Sequence, residues 1–581
     1  MRLRSTRPPL IGPLASWELL RLARRGQFHR GRLLVVYFLL IAVLMVPVFW
    51  FPAADPLDLF LAPRGTLPTS EATKFNNRFV LVLVESILLA VAAMAPGYAA
   101  AAVADEKERG TLALLLTTAL SDQEIVFGKA TGRFGFVFAA ATAGLPAVAA
   151  LTVLGGVSFG LVISGFALVA GTAALATAIG VHAACITDDL RGAMMRAYGT
   201  TALVVGGTFI PPCVFLSPFG VLVLVAETNK WLAFALAGIG YPVLQLGIAA
   251  GFLIDATRRL RTGQMSFSPA RPGPKGPPPI ARPDEADEPW QKSESWSDRE
   301  TDRALDSRSS VGASRATSAG WGPDTDDNVV SRPSVYAGIS RTGLPPIGEM
   351  DALLWKERFL SGRPGGNDAG RVAIIGFGAL GVLLFVIGAW ILLSRIISPS
   401  KEPDEGGRLV MTAGTIFAGV YLFPVAIGLA SAIARERRRQ TLESLLALPV
   451  DRGAILRTKV RAVVERRWWW PILAVIAAGV SFGADAGWQL GIAAAGALAA
   501  GTGFIVSLGS WLTVRMPSET RAFRFLIPAV VLVVGLPVLV WNAMDLSIPL
   551  VPGLGMAALT VVFALGGIVL WRRAGRELDR R

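Results

Sequence analysis

The residues of this chain whose types and spacing suggest a function form a charged motif that occurs twice. The first copy runs from Ala104 to Leu120 and the second from Ala434 to Val450, and the two align without a gap at a separation of 330 positions. Each copy begins with acidic and basic side chains and continues with paired leucines. Neither a nucleophile beside a base nor a set of metal ligands is recognisable, so the motif predicts a mechanical role rather than catalysis.

The leucines of each copy follow helical spacing. Leu112, Leu115, Leu116 and Leu120 fall at i, i+3, i+4 and i+8, and Leu442, Leu445, Leu446 and Val450 repeat the pattern. A helix this short and charged cannot span a bilayer, so we expect it to fold back along the membrane surface. Gly110 permits the bend in the first copy, whereas Gln440 replaces it in the second, where Pro449 indicates an early helix end.

We name residues 104–120 the first elbow and residues 434–450 the second elbow. Two copies with the same spacing favour a rigid elbow that is tied to a membrane helix and converts a push into rotation of that helix. The alternative is an amphipathic connector that only caps a span.

The elements that must position the elbows are predicted to be membrane helices. Hydrophobic residues make up 53% of the 581 residues, charged residues make up 17%, and the mean hydropathy is +0.53. The apolar residues come in blocks of about 20, the length that a helix needs to cross a bilayer, and helices satisfy their own backbone hydrogen bonds there. The predicted spans are 33–51, 79–103, 134–154, 159–179, 198–225, 231–254, 372–397, 409–433, 468–482, 488–514, 525–541 and 550–571.

This pattern predicts an all-α polytopic membrane protein made of two repeats of about six transmembrane helices, with an elbow after the second span of each repeat. Pro211 and Pro212 interrupt the fifth block, which we expect to cross only partly. The first repeat is predicted to occupy residues 1–254 and the second residues 346–581.

Residues 255–345, between the repeats, are rich in Pro, Gly, Ser, Asp and Arg, and this composition predicts a disordered linker. A plain tether is favoured over a regulatory or partner-docking tail.

The net charge of +14 is explained by membrane orientation rather than by a nucleic-acid partner, because the arginines lie at the ends of apolar blocks. By the positive-inside rule, the N-terminus, the linker, the C-terminus and both elbows are predicted to be cytoplasmic, in the inner membrane of the cell. Each repeat also opens with a basic amphipathic segment that we expect to lie in the membrane interface. These segments carry Trp17 with Glu18 and Trp355 with Glu357.

A few other polar residues could have a function. Glu85 lies inside an apolar span, where it is a candidate for lining a translocation path or for a hydrogen-bonded carboxylate near the outer end. His182 and Cys185 are one turn apart, but two ligands do not make a metal site, and we expect none. No phosphate-binding loop of the G-x-x-x-x-G-K-[ST] type is present in the sequence, so we expect no cofactor in this chain and no ATP hydrolysis by it.

The first elbow resembles a known signature. Its acid-rich turn, GlyThrLeu at 110–112, paired leucines and the downstream Gly128 and Lys129 are similar to the pattern of ABC transporter permeases of type 2 architecture. The second elbow keeps most of this pattern, with Lys459 in the place of Lys129, but has Gln440 and Thr458 where the glycines would be.

The resemblance implies a permease with six spans per half, in which each elbow is a cytoplasmic coupling helix that contacts an ATPase. Two copies of a separate cytoplasmic ABC ATPase subunit would then bind ATP and Mg²⁺, and export would be the direction of transport. The implied coupling residues are Glu106, Glu108, Gly110, Thr111 and Leu112 in the first half and Glu436, Thr441, Leu442 and Glu443 in the second.

Two other classes remain open at this point. An ion-gradient-driven secondary transporter of about twelve spans would also contain repeats, but it should carry buried charges along several spans. A membrane-embedded enzyme would need a polar cluster at one depth, and no such cluster is recognisable in the sequence.

Overall fold

The computed structural model describes residues 13–24, 26–50, 69–155, 158–187, 189–205, 217–228, 231–265, 354, 368–397, 405–438, 441–447, 451–465, 468–486, 488–516, 518–543 and 550–579. These residues contain helices and no strands. Seven of the described helices are long and apolar enough to cross a membrane. The prediction of an all-α polytopic membrane protein is therefore confirmed.

The first half consists of an amphipathic helix followed by long apolar helices. Its elements are α1 (Pro13–Arg24), α2 (Gln27–Trp50), α3 (Thr69–Glu108), α4 (Thr111–Leu116), α5 (Asp122–Ala141), a 3-10 turn (Thr142–Gly144), α6 (Leu145–Gly155), α7 (Phe159–Ile186), α8 (Leu190–Val205), α9 (Pro218–Thr228), α10 (Trp231–Ala235), a π-helical turn (Leu236–Gly240) and α11 (Tyr241–Met265).

The second half follows the same order. Its elements are α12 (Asp368–Ile397), α13 (Glu405–Ala432), α14 (Ala434–Arg438), α15 (Leu442–Leu446), α16 (Arg452–Val464), α17 (Trp469–Ala486), α18 (Trp488–Arg515), α19 (Glu519–Ala543) and α20 (Leu550–Asp579).

The fifth block of the first half is divided between two helices. α8 ends at Val205 and α9 begins at Pro218, while residues 206–216, which include Pro211 and Pro212, lie outside the described part of the chain. The Ser217 hydroxyl donates to the Val205 carbonyl at 2.8 Å, so the end of one helix meets the start of the next. α9 then packs on α7 and α3, where Leu222 approaches Gly165.

Several predicted boundaries need correction. α4 ends at Leu116 instead of continuing to Leu120, because the Thr117 and Thr118 hydroxyls bind the Leu114 and Leu115 carbonyls and close the last turn. α11 continues to Met265, so the first residues of the predicted linker are helical. Residues 266–345, Trp355, Glu357, Gln440 and residues 448–450 with Pro449 lie outside the described residues.

The two halves pack against each other through matching helices, within one compact unit that comprises residues 1–266 and 349–581. The second span of each half, α3 or α13, contacts both α8 and α19. The first span of each half, α2 or α12, contacts the fifth helix of the other half. The repeat in the sequence is thus repeated in the packing, and the seam between the halves is built around α3, α8, α13 and α19.

Candidate functional site: the two elbows

The first elbow is a sharp turn between a membrane helix and a short surface helix. α3 ends at Glu108, and Gly110 then adopts φ 72°, in the left-handed region that glycine enters at little cost. The Gly110 N–H donates to the Lys107 carbonyl at 3.1 Å, which closes the turn before α4 begins at Thr111. The bend predicted from Gly110 is therefore present.

The acid at the start of the first elbow is held from inside the protein. Lys129 Nζ on α5 lies 2.6 Å from Glu106 Oε1 and also donates to the Ala102 carbonyl at 3.3 Å. The same ammonium lies 3.6 Å from Glu18 Oε1, and Arg133 binds the other Glu18 oxygen at 3.1 Å. Two acids and two bases from three helices thus form one network, in which Lys129 and Glu18 are buried.

The second elbow repeats the central part of this network. Lys459 Nζ on α16 lies 3.1 Å from Glu436 Oε1, and the Thr441 hydroxyl binds Glu436 Oε2. The spacing in the chain is the same as between Glu106 and Lys129. The lysine after each elbow therefore has a structural role, because it neutralises the elbow's acid and ties the second span to the helix that follows the elbow.

A second pair of equivalent residues was not recognised in the sequence. Lys107 is buried and donates to the Cys185 and Thr187 carbonyls at 2.8 and 3.1 Å, which caps the C-terminal end of α7. Arg437 donates to the Met516 and Val514 carbonyls at 2.8 and 3.3 Å, which caps the C-terminal end of α18. Cations suit helix C-termini because the last carbonyls lack partners and carry partial negative charge.

The signal that could have identified this pair is a basic residue directly after the acid in both copies of the motif. In a sequence so rich in arginine, a basic residue next to a membrane helix also fits a marker of membrane orientation. Each elbow is in fact fixed to the fourth span of its own half through this residue.

Glu108 makes a further internal contact in the first half. Its Oε1 accepts from the Leu190 N–H at 3.0 Å, at the N-terminus of α8. A carboxylate is favourable there because the first N–H groups of a helix lack partners. The first elbow therefore contacts α8 as well as α5 and α7.

The remaining predicted coupling residues divide into an inner and an outer set. Leu112 is buried and Leu442 is partly buried, whereas Gly110, Thr111, Thr441 and Glu443 are exposed. Glu106 and Glu436 are mostly covered, with 22% and 12% of their side chains exposed. These two acids position the elbow, and the exposed residues form its outer surface.

Leu114 belongs to that outer surface and was missed. Its side chain is 69% exposed, on the side of α4 opposite the buried Leu112. Leu114 does not share the spacing of the leucine stripe, so the stripe does not predict its position on the outer surface. A large exposed apolar side chain at the outermost helix of an elbow is suited to a pocket on another protein.

The amphipathic segment at the start of the first half forms α1, which packs along α5. Trp17 is half exposed and stacks with Arg21, while Glu18 points into the protein. Three small residues of α5, Gly128, Gly132 and Gly135, let the backbone of α1 approach closely. Gly128, part of the motif in the sequence, thus makes room for Leu14. The equivalent residues Trp355 and Glu357 lie outside the described part of the chain.

The side chains of the other candidate residues do not join the charge network of the elbows. Glu85 is fully buried in α3, and its Oε2 atom has no hydrogen-bond partner. His182 binds Asp255 at 2.7 Å rather than forming a pair with Cys185. Among the residues that the structure describes, no three His, Cys, Asp or Glu side chains are grouped as metal ligands.

Comparison with known proteins agrees with this arrangement. Residues 27–217, which include α2 to α8 and the first elbow, match a family described as ABC-2 family transporter protein. No curated protein matches the chain. Residues 27–217 therefore belong to an ABC-2 type permease region, and the described helices are those of a multi-pass membrane protein.

Proposed function

We propose that this chain is the complete membrane part of an ABC exporter, in which two copies of a cytoplasmic ABC ATPase bind the two elbows. The family implies association with an ATPase subunit and with the membrane. The observation that carries the proposal is the repeated ion pair, Glu106 with Lys129 and Glu436 with Lys459, which braces an elbow in each half. Two braced elbows match two ATPase copies.

The contacts of the elbow give a route for force. A push on α4 acts on α3 through the tight turn at Gly110, and Lys107 and Glu108 connect the same turn to α7 and α8. Because α8 lies in the seam between the halves, a movement of the elbow would reach the seam without passing through a flexible segment. The second elbow has the matching connection from Arg437 to α18.

The proposal assigns the chemistry to the partner. ATP and Mg²⁺ would bind to the ATPase, and this chain would supply the path and the docking surfaces. The orientation follows from the same proposal, since an ATPase in the cytoplasm requires both elbows, both termini and the linker on that side. The excess of basic residues next to the elbows supports this orientation.

The outer surface of the first elbow gives the sharpest test. A photo-crosslinking amino acid in place of Leu114, in the full chain and in its native membrane, should capture a protein whose sequence contains a phosphate-binding loop. Mass spectrometry of the crosslinked product identifies the protein. Replacing Glu106 would be a poorer test, because its loss would also disturb the internal network with Lys129.

Ile239 provides the matched control. Its side chain is 68% exposed, almost the same as that of Leu114, but it lies in the π-helical turn of a membrane span. Crosslinking from position 239 should capture no ATPase. The proposal fails if position 114 captures no nucleotide-binding protein, or if both positions capture the same one.

A further inference from the structure

The seam between the halves is not symmetric at the end that carries the elbows. Tyr98 on α3 has Arg30, Arg133 and Arg524 as charged neighbours. At the equivalent place in the second half, Gly428 on α13 packs against Val463, the equivalent of Arg133. A basic corner in one half thus corresponds to apolar packing in the other.

Arg524 is the part of this corner contributed by the second half. Counted from the residues that begin the fifth helices, Asp189 and Ser518, its equivalent in the first half is Met195. The guanidinium lies over the Tyr98 ring, 5.1 Å from its centroid. Within the described part of the chain, no carboxylate forms an ion pair with Arg524, although Asp105 and Arg133 are near enough to act on it electrostatically.

Arg133, Lys129 and Asp105 of this corner already have partners, and Arg30 is exposed. Arg133 binds Glu18, and Lys129 binds Glu106 and Glu18. Asp105 lies 3.9 Å from Arg109, in the turn that follows its helix. Among the described residues, Arg524 therefore forms no ion pair with an acid, and it lies next to a second cation that repels it. Such a cation at a protein seam is stabilised by binding an anion.

A small cavity adjoins this cation. It lies between α3, α8 and α19 and is lined by Tyr98, Tyr198 and Arg524 together with apolar residues such as Met194, Phe523 and Pro528. Its volume is about 10 Å³, enough for about one water molecule. A phosphate or carboxylate group is larger than this cavity, so binding of such a group requires the cavity to widen.

The surroundings of the cavity indicate the shape of the ligand. Away from the elbows, the seam continues between apolar side chains, where Leu89 of α3 packs on Gly535 of α19. One cation at the elbow end and the apolar contact between Leu89 and Gly535 further along the seam fit a molecule with an anionic group at one end and an apolar body.

We propose that Arg524 and Tyr98 bind the anionic group of a transported amphiphile, such as a phosphate or carboxylate headgroup, at the seam on the side of the elbows. This inference rests on the proposed function, because it assigns the substrate class of the same permease. The site is single, since the first half has Met195 where the second half has Arg524.

The test is a binding measurement on the purified full-length chain in detergent. Fluorescent phosphatidic acid and fluorescent phosphatidylcholine with the same acyl chains serve as probes, and fluorescence anisotropy reports binding. The wild-type chain should bind the anionic probe about tenfold more tightly than the zwitterionic one, as expected for one charge-assisted contact. Arg524→Met, which introduces the residue type of the other half, should remove this preference.

Arg521→Met is the matched control, because Arg521 is exposed one turn earlier on the same helix, and it should keep the preference. Equal binding of the two probes by the wild type, or an unchanged preference in Arg524→Met, would overturn the proposal. Unlabelled competitors are then added to the bound fluorescent phosphatidic acid. If inorganic phosphate displaces the probe as effectively as unlabelled phosphatidic acid does, the site binds a free anion, and the proposal of an amphiphile is wrong. Capture of an ATPase from position 114 is measured separately, so its failure counts against the proposed function alone.

Discussion

Glu106, Lys107 and Glu108 follow one another in the sequence, yet each binds a different part of the fold. Successive residues of a helix point about 100° apart, so three neighbours at a helix end can reach three partners. Their partners are Lys129 on α5, the last carbonyls of α7 and the first N–H of α8. At the scale of single residues, the elbow is therefore held by charges that face inward, and its outer surface depends on Thr111 and Leu114.

The capping cations give a prediction at this scale. Lys107→Met should lower the free energy of unfolding by about 1–3 kcal/mol, because two buried carbonyls lose their donor. Arg437→Met should have an effect of the same sign, since Arg437 binds the corresponding end of α18. Thermal unfolding of the purified chain in detergent measures both effects as a lower midpoint temperature.

Arg109→Met is the control for both variants, because 66% of the Arg109 side chain is exposed. The substitution should change stability by no more than about 0.5 kcal/mol. A loss in Arg109→Met as large as that in Lys107→Met would contradict the assignment of Lys107 as a cap.

At the scale of elements, α1 and α5 show how a surface helix is attached to the membrane core. Gly128, Gly132 and Gly135 lie on the face of α5 that contacts α1, and their lack of side chains lets the two helices approach closely. Across this contact Glu18 forms ion pairs with Lys129 and Arg133. Close helix contact through small residues gains dispersion energy and allows short ionic contacts. The amphipathic pattern of α1 predicts its place at the membrane surface, but not which helix it lies against.

A larger residue in the contact between α1 and α5 should separate them. A Cβ atom at Gly132 would lie 2.9 Å from Glu18 Cβ, so Gly132→Leu should cost about 1–3 kcal/mol. Thermal unfolding measures the loss, and the fluorescence of Trp17 should change as α1 is displaced.

Gly251→Leu provides the comparison, since a Cβ atom at Gly251 of α11 would meet nothing within 4 Å. That variant should unfold at the wild-type temperature or above it, because leucine favours helix more than glycine does. Equal losses in the two variants would mean that the close contact with α1 does not determine the effect at 132.

At the scale of the whole molecule, the two halves form one unit through equivalent helices around the seam. The equivalence is incomplete. The first half carries Tyr98 and Arg133 where the second has Gly428 and Val463, so the two sides of the seam differ in charge and shape. A fused chain can keep such a difference, whereas two identical subunits would carry the same residues on both sides of the seam.

The contact across the seam can be tested by crosslinking. With Cys185 and Cys213 replaced by Ala, cysteines at 89 and 535 should react with a short bifunctional thiol reagent, because a Cβ atom at Gly535 would lie 2.7 Å from the Leu89 side chain. A specific protease site inserted at residues 272–279 then separates the halves. Electrophoresis should show the two fragments joined only after crosslinking.

Cysteines at 89 and 568 form the control pair, since Ile568 is half exposed on α20. This pair should give separate fragments. Efficient joining by the control pair, or none by the pair at 89 and 535, would be incompatible with the described seam.

The sequence alone determined the helical class, the positions of the seven described helices that are long and apolar enough to cross a membrane, and the bend at Gly110. These features depend on local properties, namely runs of apolar residues, the spacing of leucines and the backbone freedom of Gly110. The resemblance to type 2 permeases also rested on local residues, and it agrees with the family match of residues 27–217.

Only the tertiary structure decided which of the elbow's charges face inward. The pairing of Lys129 with Glu18, the capping of α7 by Lys107 and the position of Arg524 over Tyr98 join residues from distant parts of the chain. The sequence shows which residues are charged, but the partner of each charged side chain depends on how the helices pack.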